Sequence, residues 1–397
     1  MGEGFPRLNV DRDANLEKRK EIVSVDELEL LADKLRIGEI KSKKVVLVDG
    51  NRGVMDANGE YSLRFSDYGL RRLAGYLEKF GVDVNLIKLQ DKDTEENKKS
   101  LEEAEIIGLG ALATGIEEAS DFLREVNEGR PDIQTILGGE EALNYEQILR
   151  DENSGINLCC IGQGELPLLA LALGVPEERI GSIVYGEKDG EKIKLNKNLR
   201  ENGRSFPVLS ESANREILKP VQAIYGENEA PFVELDGHFG KTGRACYGVG
   251  CPQKCDFCAN EAFYGKKTNS PEIFKKELAE LDESGINFVF LADALMNENK
   301  IQLDGITQSF EEINKARQGQ GKVIMNWAGF MNADKQESCK QFERMAQAGC
   351  IEIAVGFEDI VGDRTGVGKS TSIEIATKFI NEAREHLMVR TLLILGL

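Results

Sequence analysis

Five short apolar runs separated by stretches of helical periodicity constrain this chain more than any other feature. They are Val45-Val46-Leu47-Val48, Val82 to Ile87, Ile106-Ile107-Gly108-Leu109, Thr135-Ile136-Leu137 and Leu158-Cys159-Cys160-Ile161. Between the first two, Leu70, Leu73, Ala74, Leu77 and Phe80 recur at helical spacing, an amphipathic stripe that Gly81 stops. Helical patterns also cover residues 116–128, 141–150 and 165–173. Strands alternating with helices predict a doubly wound parallel sheet with both faces covered. In the flavodoxin-like strand order, ligands bind outside the carboxyl ends of the strands, where the order reverses.

Those ends are rich in small residues. The third strand leads into Gly110-Ala111-Leu112-Ala113-Thr114-Gly115, the fourth into Gly138-Gly139-Glu140 and the fifth into Gly162-Gln163-Gly164-Glu165. Glycine lets a flat or phosphate-bearing cofactor approach the backbone closely.

Further along, Cys251-Pro-Gln-Lys-Cys255-Asp-Phe257-Cys258 sets three cysteines at C-x3-C-x2-C spacing. Iron–sulfur cubanes are normally held by four thiolates. Three thiolates leave one iron open to a substrate or cofactor, an arrangement suited to catalysis. A zinc site completed by Cys246 or His238 is the alternative, although zinc motifs usually pair their cysteines in two C-x2-C hooks. Cys159, Cys160, Cys246, Cys339 and Cys350 are scattered and read as buried or incidental thiols.

The three-cysteine run resembles the signature loop of the radical S-adenosylmethionine (radical SAM) superfamily. The resemblance implies a 4Fe-4S cluster on Cys251, Cys255 and Cys258. It further implies S-adenosyl-L-methionine on the open iron, cleaved by one electron to methionine and a 5′-deoxyadenosyl radical. Phe257 then shields the cluster and presents backbone groups to the adenine, although loop packing explains it equally.

Barrel units are expected to follow. Phe232 to Leu235 reads as the first strand, residues 271–283 as a helix opened by Ser270 and Pro271, and Asn287 to Leu291 as the second strand. Val323 to Asn326 reads as the third strand with Asn326 near its carboxyl end, and Ile351 to Val355 as the fourth, running into Gly356-Phe357-Glu358. Thr391 to Ile394 reads as the fifth. By the resemblance, Asp293, Asn326 and Glu358 contact S-adenosylmethionine, and Asp293 fits the capping of a turn equally well. Such cores usually hold six units, so the expectation is a partial (βα)6 radical SAM barrel of five strands, C-terminally incomplete.

The glycine loops of the first half resemble the cobalamin-binding domain found ahead of many such barrels. That implies cobalamin contacts from Leu112, Thr114, Gly138, Gly139, Gly162, Gly164 and Glu165. The loop after the first strand, Asp49-Gly50-Asn51-Arg52-Gly53, lacks the histidine of the D-x-H-x-x-G pattern, so it offers cobalt no lower histidine ligand. A domain without a ligand, or one holding a flavin or another nucleotide, is the alternative.

The resulting organisation is a lead-in over 1–43, a cobalamin-binding-type domain over 44–175, a linker over 176–230 and the barrel over 231–397. A net charge of −19 opposes a nucleic-acid footprint. The chain has no apolar run long enough to cross a membrane, and its polar first residues form no secretory signal. The expected location is the cytoplasm, whose reducing conditions suit both the free thiols and the cluster. Residues 362–370 imitate a phosphate-binding P-loop, but Gly362 stands one residue too early for that motif.

By the resemblance, the chain is a cobalamin-dependent radical SAM enzyme, with C-methyl transfer to a small molecule or peptide as the favoured reaction. A flavodoxin or ferredoxin would donate the electron. A cyclase, a cobalamin-independent radical enzyme and an inactive truncated remnant are the alternatives. The sequence does not name the substrate.

Overall fold

Val45, Val46, Leu47 and Val48 are all fully buried, which requires cover on both faces of their strand. The computed structural model supplies that cover. It describes residues 22–50, 54–55, 61–63, 68–110, 116–151, 153–189, 192–197, 242–251, 253, 255, 258, 267–334, 339–358 and 372–393. These fall into two compact units, one within Leu8–Ile217 and the other within Leu218–Leu397.

The first unit opens with α1 (Val25–Arg36), whose N-cap Ser24 accepts a hydrogen bond from the Glu27 amide. Strand β1 (Val45–Asp49) follows, then a small antiparallel ribbon of β2 (Val54–Met55) and β3 (Tyr61–Leu63). Next come α2 (Tyr68–Lys79), β4 (Val84–Lys88), α3 (Glu95–Glu103), β5 (Ile106–Gly110), α4 (Ile116–Gly129) and β6 (Gln134–Gly138). The series closes with α5 (Tyr145–Arg150), β7 (Leu158–Cys160) and α6 (Glu165–Ala172).

Five parallel strands lie in the order β4-β1-β5-β6-β7, the flavodoxin-like order expected from the sequence. Side chains alternate between two cores. Val45, Leu47, Ile106 and Ile136 face one, and Val46, Val48, Ile107 and Leu137 the other. Each fully buried side chain of this size contributes roughly 1.5–3 kcal/mol.

At the centre of the sheet Leu47 stands opposite Gly108, where an added Cβ would come within 2.7 Å of Leu47 Cδ2. Gly108→Ala is therefore expected to destabilise the unit by about 1–3 kcal/mol through overpacking. A denaturation midpoint unchanged by the substitution would show that Leu47 can move aside.

The expected linker is partly sheet. Strands β8 (Ile183–Asp189) and β9 (Lys192–Lys197) form a hairpin that extends the sheet antiparallel to β7. Lysines punctuate the outermost strand, a common protection for an edge.

In the second unit, β10 (Thr242–Ala245) precedes a two-stranded ribbon of β11 (Gly248–Val249) and β12 (Lys267–Thr268). Four βα repeats follow: α7 (Pro271–Glu283), β13 (Phe288–Leu291), α8 (Lys300–Gly319), β14 (Asn326–Met331), α9 (Cys339–Gln347), β15 (Cys350–Glu358), α10 (Ile373–Ala383) and β16 (Met388–Leu393). All five main strands are parallel and lie in chain order, β10-β13-β14-β15-β16.

Residues from all four helices share one core with Val289, Trp327, Ile353 and Val355 of the strands, so the helices cover a single face. Sequential parallel strands with helices on one face are the wall of a (βα) barrel rather than a doubly wound sheet. Alternation places Arg244, Phe290, Phe330, Glu352 and Arg390 on the other, inner face, with Arg390 Nε 2.7 Å from Glu352 Oε1.

The run Phe232 to Leu235, expected as the first strand, lies outside the described residues, and the first strand of the described wall is Thr242–Ala245. That strand is not apolar because α7 lies close over it. A Cβ on Gly243 would sit 3.0 Å from Ile286 and 3.1 Å from Leu281. The third strand starts at Asn326 instead of ending there. Val323 is 68% exposed, and its carbonyl accepts a hydrogen bond from Arg317 Nε rather than from a neighbouring strand. Asn326 therefore lies at the amino edge of the wall, away from the edge where barrel sites form.

Candidate functional site

The cysteine loop leaves the carboxyl end of β10, and its base is braced on every side. The ribbon of β11 and β12 pairs Gly248 with Thr268 and Val249 with Lys267, so it brackets the cysteine segment along the chain. Asn269 follows the ribbon. Its backbone N–H donates to Tyr247 O at 2.7 Å, and its Nδ2 to Cys246 O at 3.0 Å. The Cys246 amide donates to Glu277 Oε2 on α7 at 3.3 Å. The Tyr247 ring meets Phe274 edge to face, and it sits where a Cβ on Gly305 of α8 would approach its oxygen to 2.3 Å.

Asp293, in the turn after β13, completes this collar. Its Oδ2 accepts the Tyr247 N–H at 2.8 Å, and its Oδ1 accepts the Gly248 N–H at 2.6 Å. Gln302 Nε2 reaches the same Oδ1 at 3.2 Å and also donates to Leu295 O. Burial pushes the Asp293 carboxyl up to about 7, against the pull of these three donors. The local sequence prepares the arrangement. Asn299 caps α8 by accepting from the Gln302 amide, as in a capping box, but the glutamine side chain turns to Asp293 instead of back to the cap.

Within the loop the Cys258 amide donates to Cys255 O at 3.0 Å, a turn that brings the last two cysteines together along the chain. Cys251, Cys255 and Cys258 form no disulfide and are partly exposed. The other described thiols, Cys159, Cys160, Cys246 and Cys350, are buried. Burial pushes Cys160 up to about 12 and raises Cys159 and Cys350 further, so none of these three readily becomes a thiolate ligand. Cys246 donates its thiol hydrogen to Gly248 O at 3.2 Å, which removes it from the loop's donor set.

Among the described residues no three His, Cys, Asp or Glu side chains converge on the position of a single metal ion. A cubane makes no such demand, because it divides three thiolates among three irons. The donor set therefore fits a cluster with one open iron.

Loops after β13 and β14 meet beside this collar. Asn297 accepts the Asn332 N–H at 2.8 Å and donates to Asn332 O at 2.9 Å, so its side chain fastens one loop to the other. Asn269 Oδ1, Gln302 Oε1 and Asn332 Nδ2 are buried and have no hydrogen-bond partner. Two acceptors and one donor at the carboxyl edge are spare capacity of the kind an ammonium and a carboxylate would use. Glu358 ends β15 on this edge, with its side chain outside the description, as are Phe257 and residues 359–371 with their P-loop imitation.

The edge of the first unit carries the remaining predicted residues. Gly138 ends β6, where an added Cβ would meet open space, and Gly139 turns the chain at φ +85°. Gly162 turns it after β7 at φ +97°. A Cβ on Gly164 would sit 3.3 Å from Leu73 Cδ2, and the glycine leads into α6. Open space before a strand end flanked by glycine turns fits a broad, flat ligand. Glu165 behaves differently, because it is buried and ion-paired with Arg72 of α2 at 3.1 Å. Leu112 and Thr114 lie outside the described residues.

The sequence reading missed Asn269, Glu277, Gln302, Asn297 and Asn332. A glycine at 305, inside a helical pattern, was the available sign that something packs closely there.

Residues 56–172 match the B12 binding domain family. The chain is 24% identical over 318 residues to the anaerobic magnesium-protoporphyrin IX monomethyl ester cyclase of Rubrivivax gelatinosus, covering 76% of this chain and 53% of the relative. It is 24% identical over 238 residues to the hopanoid C-3 methylase of Methylococcus capsulatus, covering 57% and 42%. The chain thus spans about half the length of these curated relatives.

Its fold is similar to that of the radical S-adenosylmethionine methyltransferase TsrM from Kitasatospora setae, solved with cobalamin and a [4Fe-4S] cluster. The TM-score is 0.63 at 16% identity, over 90% of this chain and 70% of that one. The matched B12 binding domain lies in the first unit and the braced three-cysteine loop on the parallel wall of the second, a pairing that supports the cobalamin-binding-domain branch of the radical SAM superfamily.

Proposed function

We propose that this chain carries the cofactor-binding part of a cobalamin-dependent radical SAM enzyme whose reaction is methyl transfer to carbon in a small molecule or peptide. One observation carries the reading. Three partly exposed thiols are delivered on one braced loop at the carboxyl edge of a parallel wall, while the other four described thiols are buried. Cys251, Cys255 and Cys258 would hold a 4Fe-4S cluster, which when bound supplies the electron that splits S-adenosylmethionine to a 5′-deoxyadenosyl radical.

The loops around Asn269, Gln302 and Asn332 would meet the amino-acid end of S-adenosylmethionine, and Gly138, Gly139 and Gly162 would let cobalamin lie against the first sheet. The second-unit residues hold their groups rigidly before any ligand arrives, which is what positioning for radical chemistry requires. A flavodoxin- or ferredoxin-type donor is the proposed electron source. Two relatives, the hopanoid methylase and TsrM, are named for methylation, and the cyclase from Rubrivivax gelatinosus makes ring formation the second reading.

Anaerobic reconstitution tests the proposal. The expected result is iron and inorganic sulfide in equal amounts, cobalamin retained on the protein, and 5′-deoxyadenosine on adding reductant and S-adenosylmethionine. A preparation that takes up zinc and no sulfide overturns it. Deoxyadenosine without retained cobalamin would leave radical cleavage standing and remove methyl transfer.

A further inference from the structure

The polar backbone between Ala245 and Gly248 is tied down atom by atom. Ala245 O accepts from the Ala292 amide at 2.8 Å, Cys246 is held at both ends by Glu277 and Asn269, and Tyr247 O is held by Asn269. The two N–H groups of Tyr247 and Gly248 point the same way and converge on one carboxylate, that of Asp293, which is 1% exposed. Both of its oxygens are used, so an amide in its place could accept at one oxygen only and would turn a donor toward the other N–H. Gln302 fixes the carboxylate from behind, and the close fit of Tyr247 against Gly305 leaves the ring no other seat. Cys251 follows Gly248 by three residues, too few to absorb a change of direction at the pin.

We propose that Asp293 is a positioning residue for the cluster loop: by gathering the Tyr247 and Gly248 amides, it sets the direction in which the chain presents Cys251, Cys255 and Cys258. This rests on the reading that the three thiolates hold the cluster, and it goes further by assigning the loop's geometry to a carboxylate on a different βα unit. The residue touches no thiol in this role. It acts through two peptide groups, and the environment of the cluster follows from where those groups stand.

The test compares Asp293→Asn, Asp293→Ala and Gln302→Ala with the wild type and with Asn314→Ala, a lesion at the opposite edge of the same wall. Amide hydrogen exchange on the metal-free proteins comes first. Residues 247 and 248 are expected to exchange about tenfold or more faster in both Asp293 variants than each variant's lost stability accounts for, less so in Gln302→Ala, and no faster than the lost stability accounts for in Asn314→Ala. Anaerobic reconstitution comes second. The Asp293 variants should lose iron and sulfide or show an altered electron paramagnetic resonance spectrum and reduction potential, while Asn314→Ala keeps the wild-type signal.

Wild-type exchange, iron content, spectrum and potential in Asp293→Ala overturn the proposal. So does an equal excess of exchange, beyond what lost stability accounts for, in Asn314→Ala, which would mean that a lesion anywhere in the wall disturbs the loop. If Asp293→Ala does not fold, Gln302→Ala decides through the same readouts. If the wild type itself takes up no cluster, the functional reading fails, and hydrogen exchange still decides whether Asp293 holds the loop.

Discussion

Cys255→Ala protein, reconstituted anaerobically, is expected to give no 5′-deoxyadenosine above background and to hold little iron or sulfide. The expectation follows from the donor set. Three partly exposed thiols sit on one loop, and Cys159, Cys160, Cys246 and Cys350 are buried, three of them with thiols pushed well above their usual range. With two thiolates left, none of these four can step in without unfolding part of a core. The matched substitutions sharpen the test. Cys350→Ala and Cys159→Ala, in the cores of the two units, should leave iron content and cleavage at wild-type levels. Retained deoxyadenosine formation by Cys255→Ala would refute the cluster assignment, and loss of iron in Cys350→Ala would show that the donor set is wider than the loop.

How much of this was legible in the sequence depends on whether a residue's role is set by its neighbours along the chain or across it. The five runs from Val45 to Ile161 gave the doubly wound sheet because burial on both faces of its central strands forces continuous apolar runs. The cysteine spacing is local by nature and was equally plain. The hairpin of β8 and β9 was hidden by its charge, although Lys192-Ile193-Lys194-Leu195 alternates as an edge strand should. Strand β10 was hidden because α7 compresses Gly243, which makes its sequence look like a loop.

Val323 to Met325 misled in the opposite sense. The run is apolar, but Arg317 and Asn314 hydrogen-bond to it from α8 and keep it out of the wall. Asn326 was consequently placed at the wrong end of its strand. Asp293 could be noticed but not interpreted, since its partners lie 46 and 45 residues earlier.

Asn314→Ala is the second large effect expected, and it concerns stability alone. Asn314 on α8 is buried and uses all of its amide. Its Oδ1 accepts the Met325 N–H at 2.6 Å, and its Nδ2 donates to Met325 O and Ala348 O, both at 3.0 Å. One side chain thus ties the segment before β14 to the turn before β15. Gly349 has φ +95° in that turn, and a Cβ there would meet Met325 O at 2.8 Å, so the two segments cannot shift toward each other to fill the gap. Alanine would leave Met325 with two buried, unpartnered backbone groups, each costing roughly 1–3 kcal/mol, and Ala348 O with only the longer bond from Trp327 Nε1 at 3.2 Å. The loss should total about 3–5 kcal/mol, a large part of the stability of a typical domain. Asn314→Asp should recover little of it, because a carboxylate keeps the acceptor but faces two carbonyl oxygens without a donor. Denaturant unfolding of the three proteins checks this. A loss below about 1 kcal/mol in Asn314→Ala would mean that water replaces the amide and that the two segments are held by Trp327, stacked on Phe310 at 4.9 Å, instead.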